Sequence, residues 1–183
     1  MCIIDVMEVV NNIDFKILNF IYDNLHCTFL NKTMPIISKL GDIGIIFIVV
    51  AIVLICFKKY RKIGFTMLLS LIIGSILCNL IMKPLFARIR PYDINTAINL
   101  IINKLNDFSF PSGHTIAAFE CATVIYLYNK KLSIPFIILA FLIAFSRLYL
   151  YVHYPSDIFA SIILGIIVGY ISFIIIKKIK KDK

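Results

Sequence analysis

Charge is scarce in this sequence. Only 16% of its 183 residues are Asp, Glu, Lys or Arg, 61% are hydrophobic, and the acids number ten. A soluble domain of this length must still cover its core with a polar surface, and too few polar residues remain here to do so. Paired cysteines are missing too. Cys2, Cys27, Cys56, Cys78 and Cys121 are scattered, and the last three lie inside apolar runs. That argues against a disulfide or metal framework and for small hydrophobic side chains. The first residues carry Asp5 and Glu8 and no basic n-region, so no cleavable signal peptide is expected. Repeats, low-complexity segments and flexible linkers are absent.

What the chain does have is long apolar runs, which place it among integral-membrane proteins. It reads as one unit over residues 1–183: an all-α membrane bundle of five to six transmembrane helices with an N-terminal amphipathic interfacial helix. Five spans are expected, over 43–57, 63–82, 112–128, 133–150 and 157–176. Residues 13–30 are interrupted by Asp14, Lys16, Asn19, Asp23, Asn24 and His26, yet Phe15, Leu18, Ile21, Tyr22 and Leu25 recur at helical spacing. An interfacial helix is favoured there over a sixth span, with His26 a bystander. Ile98, Ile101, Ile102 and Leu105 suggest a second short interfacial helix near 95–104.

The net charge of +9 invites a nucleic-acid reading until the charges are placed. Eleven of 19 basic residues form three clusters: Lys58, Lys59, Arg61 and Lys62; Lys130 and Lys131; Lys177, Lys178, Lys180, Lys181 and Lys183. Each flanks an apolar run at ends that alternation puts on one side. The positive-inside rule explains them, makes that side and the C-terminus cytoplasmic, and leaves no nucleic-acid partner.

The opposite face then collects ionisable groups that this rule would rather remove. The second span ends in Lys83, followed by Arg88, Arg90 and Pro91. The third opens with Pro111, Ser112, Gly113 and His114. The fourth ends with Ser146 and Arg147, and His153 and Asp157 lie four residues apart at the start of the fifth. Such groups at membrane depth are costly and point to function. Three cations and a helix N-terminus make an anion site. Ser112 and Gly113 offer backbone N–H groups and a hydroxyl, Arg90 and Arg147 offer bidentate grips, and Lys83 adds a point charge. Phosphoryl transfer without a metal needs a nucleophile and a proton donor, and histidine suits both. His153 is the candidate nucleophile, Asp157 its hydrogen-bonded orienter and His114 the general acid. A metal site is the competing use of two His and an Asp; the surrounding cations oppose it, so no metal or cofactor is expected. Glu120, mid-helix in the third span, reads as a buried protonated carboxyl bonded to a neighbouring helix, ahead of a role in proton handling.

These residues resemble the type 2 phosphatidic acid phosphatase family, whose site is shared with vanadium haloperoxidases. Lys83 with Arg90-Pro91, then Pro111 to His114, then Ser146-Arg147 with His153 and Asp157 fill the family's three-part pattern in order across 83–157. The resemblance implies a helical membrane bundle, an outward-facing site and a metal-independent phosphohistidine intermediate, with Lys83, Arg90, Ser112, Gly113 and Arg147 on the phosphate. The chain is most similar to small bacterial members, which implies a multi-pass protein of the bacterial plasma membrane. The leading expectation for substrate is undecaprenyl pyrophosphate, hydrolysed to the monophosphate. Phosphatidylglycerophosphate or phosphatidate is the alternative. A non-enzymatic flippase or scaffold, and a haloperoxidase, stand further off. Partners are a phosphate-bearing lipid and the bilayer; the oligomeric state is open.

Overall fold

A computed structural model describes residues 3–179, so Cys2 and the lysines at 180, 181 and 183 lie outside the described residues. The described chain is helical throughout its ordered elements: α1 (Ile3–Leu25), α2 (Thr28–Leu40), α3 (Ile45–Cys56), α4 (Arg61–Ser75), α5 (Lys83–Phe86), α6 (Pro91–Ile94), α7 (Gly113–Tyr128), α8 (Lys130–Tyr149) and α9 (Pro155–Ile179). This is the expected helical bundle, and no strand occurs among the described residues.

The apolar composition of the helices reflects lipid on the outside as much as core on the inside. Arg61–Ile94, Lys130–Tyr149 and Pro155–Ile179 are long and apolar enough to cross a bilayer. The expected first span, 43–57, overlaps the second limb of a longer, bent helix pair. α2 and the segment Asp42–Cys56 together make a candidate span bent by 45°. The bend is built by a 3-10 turn, Asp42–Gly44, in which Ile43 (φ 54°) and Gly44 (φ +67°) take left-handed backbone that ends one helix before the next begins. Within Arg61–Ile94, a π-helical turn over Ile76–Met82 separates α4 from α5. Such wide turns rotate the following side chains on the helix face, and Lys83 comes directly after this one.

α7 has only 16 residues and is the most enclosed helix, packed between α4, α8 and α9. With lipid tails as apolar as the side chains, helix association depends on close van der Waals fit. α9 supplies that fit with Gly165 and Gly169. A Cβ at Gly165 would meet the Ile116 carbonyl oxygen at 2.9 Å, and one at Gly169 the Glu120 carbonyl oxygen at 2.6 Å.

Side-chain contacts fix the two ends of the bundle. At one end Thr66 meets Tyr128 (3.0 Å) and Tyr128 packs edge-on against Phe173, near the basic clusters. At the other, the link between α8 and α9 is tied to the N-terminal helices. Tyr149 donates to Asn31 (2.5 Å), Tyr151 to Asn19 (2.7 Å), and His26 stacks on Tyr149 with ring centroids 4.3 Å apart. α1 buries Asp14, Leu18 and Ile21 against the bundle and turns Val10, Ile13, Ile17 and Phe20 outward. Residues 95–104, expected to be helical, are turns and bends. Their apolar side chains Ile98, Leu100 and Ile102 pack on the tyrosine-rich cluster of Tyr92, Tyr149, Tyr151 and Tyr154, and that tertiary burial replaces a helical repeat.

Candidate functional site

Three segments far apart in sequence converge at the end of the bundle that holds the α8–α9 link. They surround a cavity of about 680 Å³ whose lining includes Lys83, Arg90, Gly113, His114, Arg147 and His153. Six of the eight expected site residues therefore share one space. Ser112 and Asp157, both fully buried, stand behind it. The Ser112 N–H donates to Ser161 Oγ at 2.8 Å and its hydroxyl accepts from Thr115 Oγ1 at 3.0 Å, so this residue joins α7 to α9.

His153 is 2% exposed. Its Nδ1 is 2.7 Å from the Ser109 carbonyl oxygen. A carbonyl only accepts, so Nδ1 carries the proton and Nε2 presents a lone pair. Nε2 lies 3.4 Å from Arg90 Nη1. Burial pulls the imidazole from the usual 6.5 down to about 3, with Asp157 opposing, so the ring is neutral at physiological pH. The expected direct hydrogen bond from Asp157 is replaced by a relay. The nearest Asp157 oxygen is 3.6 Å from Nδ1, beyond hydrogen-bond range. Ser109 stands between them, accepting from His153 through its carbonyl and donating through its hydroxyl to Asp157 Oδ2 at 2.5 Å. Asp157 also accepts from the Tyr154 N–H (3.0 Å) and from Arg88 Nη1 (2.5 Å). Arg88 reaches Asp14 of α1 as well, at 2.8 Å. It is thus a brace behind the site, outside the cavity described above.

The three cations differ in what they already hold. Lys83 pairs with Asp107. Arg90 binds the carbonyls of Asp107 (2.8 Å) and Val152 (2.7 Å) and the Asp107 carboxylate (2.5 Å). Arg147 bonds Ser38 through Nη1, whereas its Nε and Nη2 are buried with no partner among the described residues. A buried guanidinium with two idle nitrogens, three N–H donors in all, carries a full desolvation cost, which an oxyanion in the cavity would remove. Across the cavity His114 Nε2 meets Asp42 Oδ1 at 2.7 Å. Gly41 permits this approach, since a Cβ there would come within 2.9 Å of the His114 ring.

A conserved-domain model for the PAP2 superfamily matches residues 59–181. The chain belongs to the PAP2 superfamily. It is a membrane phosphatase of that superfamily. It is 35% identical over 159 residues to a protein of Sulfolobus acidocaldarius named undecaprenyl-diphosphatase, an alignment covering 86% of this chain and 74% of that one. It is 29% identical to undecaprenyl-diphosphatase BcrC of Bacillus subtilis, over 81% and 76% of the two chains. Relatives at 28% identity bear the names lipid A 4'-phosphatase and phosphatidylglycerophosphatase B. The crystal structure of Aquifex aeolicus LpxE is similar, with a TM-score of 0.73 at 28% identity over 87% of this chain and 94% of that one.

Several residues around this PAP2 cavity were not singled out from sequence. Asp42 carried the signal used for the others, an ionisable group beside an expected span at the same end of the bundle. Asp107 and Ser109 lie in the loop before Pro111 and show nothing in isolation. Glu120 is 1% exposed and lines the cavity against Gly74 of α4. The neighbour bond expected for it is absent at Oε2 among the described residues.

Proposed function

We propose that this PAP2 protein hydrolyses a lipid phosphate through a phosphohistidine on His153, and that the lipid is undecaprenyl pyrophosphate, released as undecaprenyl phosphate. The observation that carries the reading is the pairing of the His153 Nε2 lone pair with the idle Nε and Nη2 of Arg147 around one cavity. In the first step Nε2 attacks phosphorus, the P–Nε2 bond forms and the bond to the leaving oxygen breaks. His114 gives that oxygen its proton. Water then attacks the phosphohistidine, His114 takes the water proton, and orthophosphate leaves with His153 restored. Lys83, Arg90, Arg147 and the Gly113 N–H hold the equatorial oxygens, where charge accumulates. Asp157 acts through Ser109 as a positioning residue. Ser112 serves by fixing the start of α7.

The site faces the extracytoplasmic side, the C-terminus is cytoplasmic, and α1 lies along the outer interface. Supporting this, Lys58–Lys62, Lys130–Lys131 and Lys177–Lys178 gather at the end away from His153. The names of the 35% and 29% identical relatives favour the polyprenyl pyrophosphate over phosphatidylglycerophosphate or phosphatidate. Phosphate release from purified protein on a panel of these lipids, with His153→Ala as control, tests both parts. A ten-fold preference for a glycerophospholipid removes the substrate assignment, and unchanged turnover in His153→Ala removes the nucleophile.

A further inference from the structure

Two of the three cations around the cavity are already paired, and with the same carboxylate. The Asp107 carboxylate meets Lys83 through Oδ2 and Arg90 Nη2 through Oδ1, the latter at 2.5 Å. Asp107 lines the same cavity as His153 and Arg147. Its oxygens therefore stand where two phosphate oxygens would be gripped. Among the described residues, Arg147 alone of the three keeps idle buried N–H groups.

Asp157, which braces Arg88 from behind the cavity, is walled in at 0% exposure. The Asp107 side chain is 48% exposed. Among the described residues its carboxylate is held by Lys83 and Arg90 and by nothing else. As a phosphoryl group enters, Lys83 and Arg90, whose side chains are 11% and 3% exposed, would trade one anion for another and never be left unpaired, while the half-exposed carboxylate turns into water. Burial alone would raise the Asp107 carboxyl, but Lys83 and Arg90 outweigh it and hold it at about 2, so it is ionised at any working pH.

We infer that Asp107 is an exchangeable internal anion: its carboxylate occupies the Lys83–Arg90 part of the cradle between turnovers, yields to the phosphoryl group of the substrate, and returns as orthophosphate leaves. The inference rests on the phosphate site proposed above. It answers a problem that site creates. Three cations in a low-dielectric cavity would retain a product dianion, and an attached competitor weakens that grip without altering the transition-state contacts.

Orthophosphate binding to the full-length protein in detergent micelles, measured by equilibrium dialysis, tests this without requiring turnover. Asp107→Asn and Asp107→Ser should each bind orthophosphate at least about three-fold more tightly than the parent, since a half-exposed ion-pair competitor has gone. Equal or weaker binding in either variant overturns the exchange. Arg147→Met, which leaves Asp107 untouched, should bind roughly ten-fold more weakly or worse. If it binds as the parent does, the phosphate site itself fails, a result distinct from failure of the Asp107 variants alone.

Discussion

Asp42→Asn isolates the proton donor. Asp42 Oδ1 lies 2.7 Å from His114 Nε2, with the Asp42 side chain 55% and the His114 side chain 20% exposed. A hydrogen bond to a charged group is worth about 1.5–3 kcal/mol when shielded. Water at the exposed carboxylate screens this one to about 1–2 kcal/mol, or roughly 5–30-fold in rate. The loss should depend on the leaving group. An alkyl phosphate expels an alkoxide and needs the proton, so phosphatidate turnover falls by that factor. p-Nitrophenyl phosphate expels a stabilised phenolate, and its kcat should change less than about two-fold. A polyprenyl pyrophosphate, which expels a phosphate ester, belongs between them. His114→Ala should show the same split with a larger loss, about 10²–10⁴-fold on the alkyl ester, and adding Asp42→Asn to it should cost little more. Steady-state kinetics on the three substrates decides. Equal losses on phosphatidate and p-nitrophenyl phosphate would show that Asp42 supports the fold of the α2–α3 bend and not the proton donor.

Other outcomes follow from the same geometry. Arg147→Lys keeps a charge but loses the idle Nε and Nη2, so kcat/KM on the lipid substrate should fall about 100-fold, equivalent to losing about 2–3 kcal/mol of charge-assisted bonding; a loss under three-fold would contradict the assignment. Burial holds His153 at about 3 in place of the usual 6.5, so the unfolded chain binds a proton there that the native chain does not. That contribution to stability is intact above pH 6.5 and erodes as pH falls from 6.5 toward 3. Melting curves in micelles should show it, with a shallower decline in His153→Asn. Gly169→Ala places a methyl 2.6 Å from the Glu120 carbonyl oxygen; it should cost about 1–3 kcal/mol by forcing α7 and α9 apart, and an unchanged melting temperature would show that the helices yield.

Much of this protein is legible in one dimension because the bilayer imposes simple rules. Apolar runs at spanning length marked α4, α8 and α9, and the lysine clusters sorted span ends into two sets. Lys83, Arg90, His114, Arg147 and His153 stood out because a charged or titratable side chain on that side has no cheap structural use. Patterning of this kind reports on membrane depth and sidedness, and on nothing between helices. Distance across the bundle was decided by the tertiary fold. It put Ser109 between His153 and Asp157, turned Asp42 onto His114 at a bend where Ile43 and Gly44 leave helical backbone, and laid Asp107 across Lys83 and Arg90. It also withdrew Ser112 and Asp157 behind the cavity and left residues 95–104 unwound against the tyrosines. The sequence determines which groups reach this end of the membrane. Which of them touch depends on helix rotation, on the π-turn before Lys83 and on glycine-scale contacts between α7 and α9, and those are properties of packing in three dimensions.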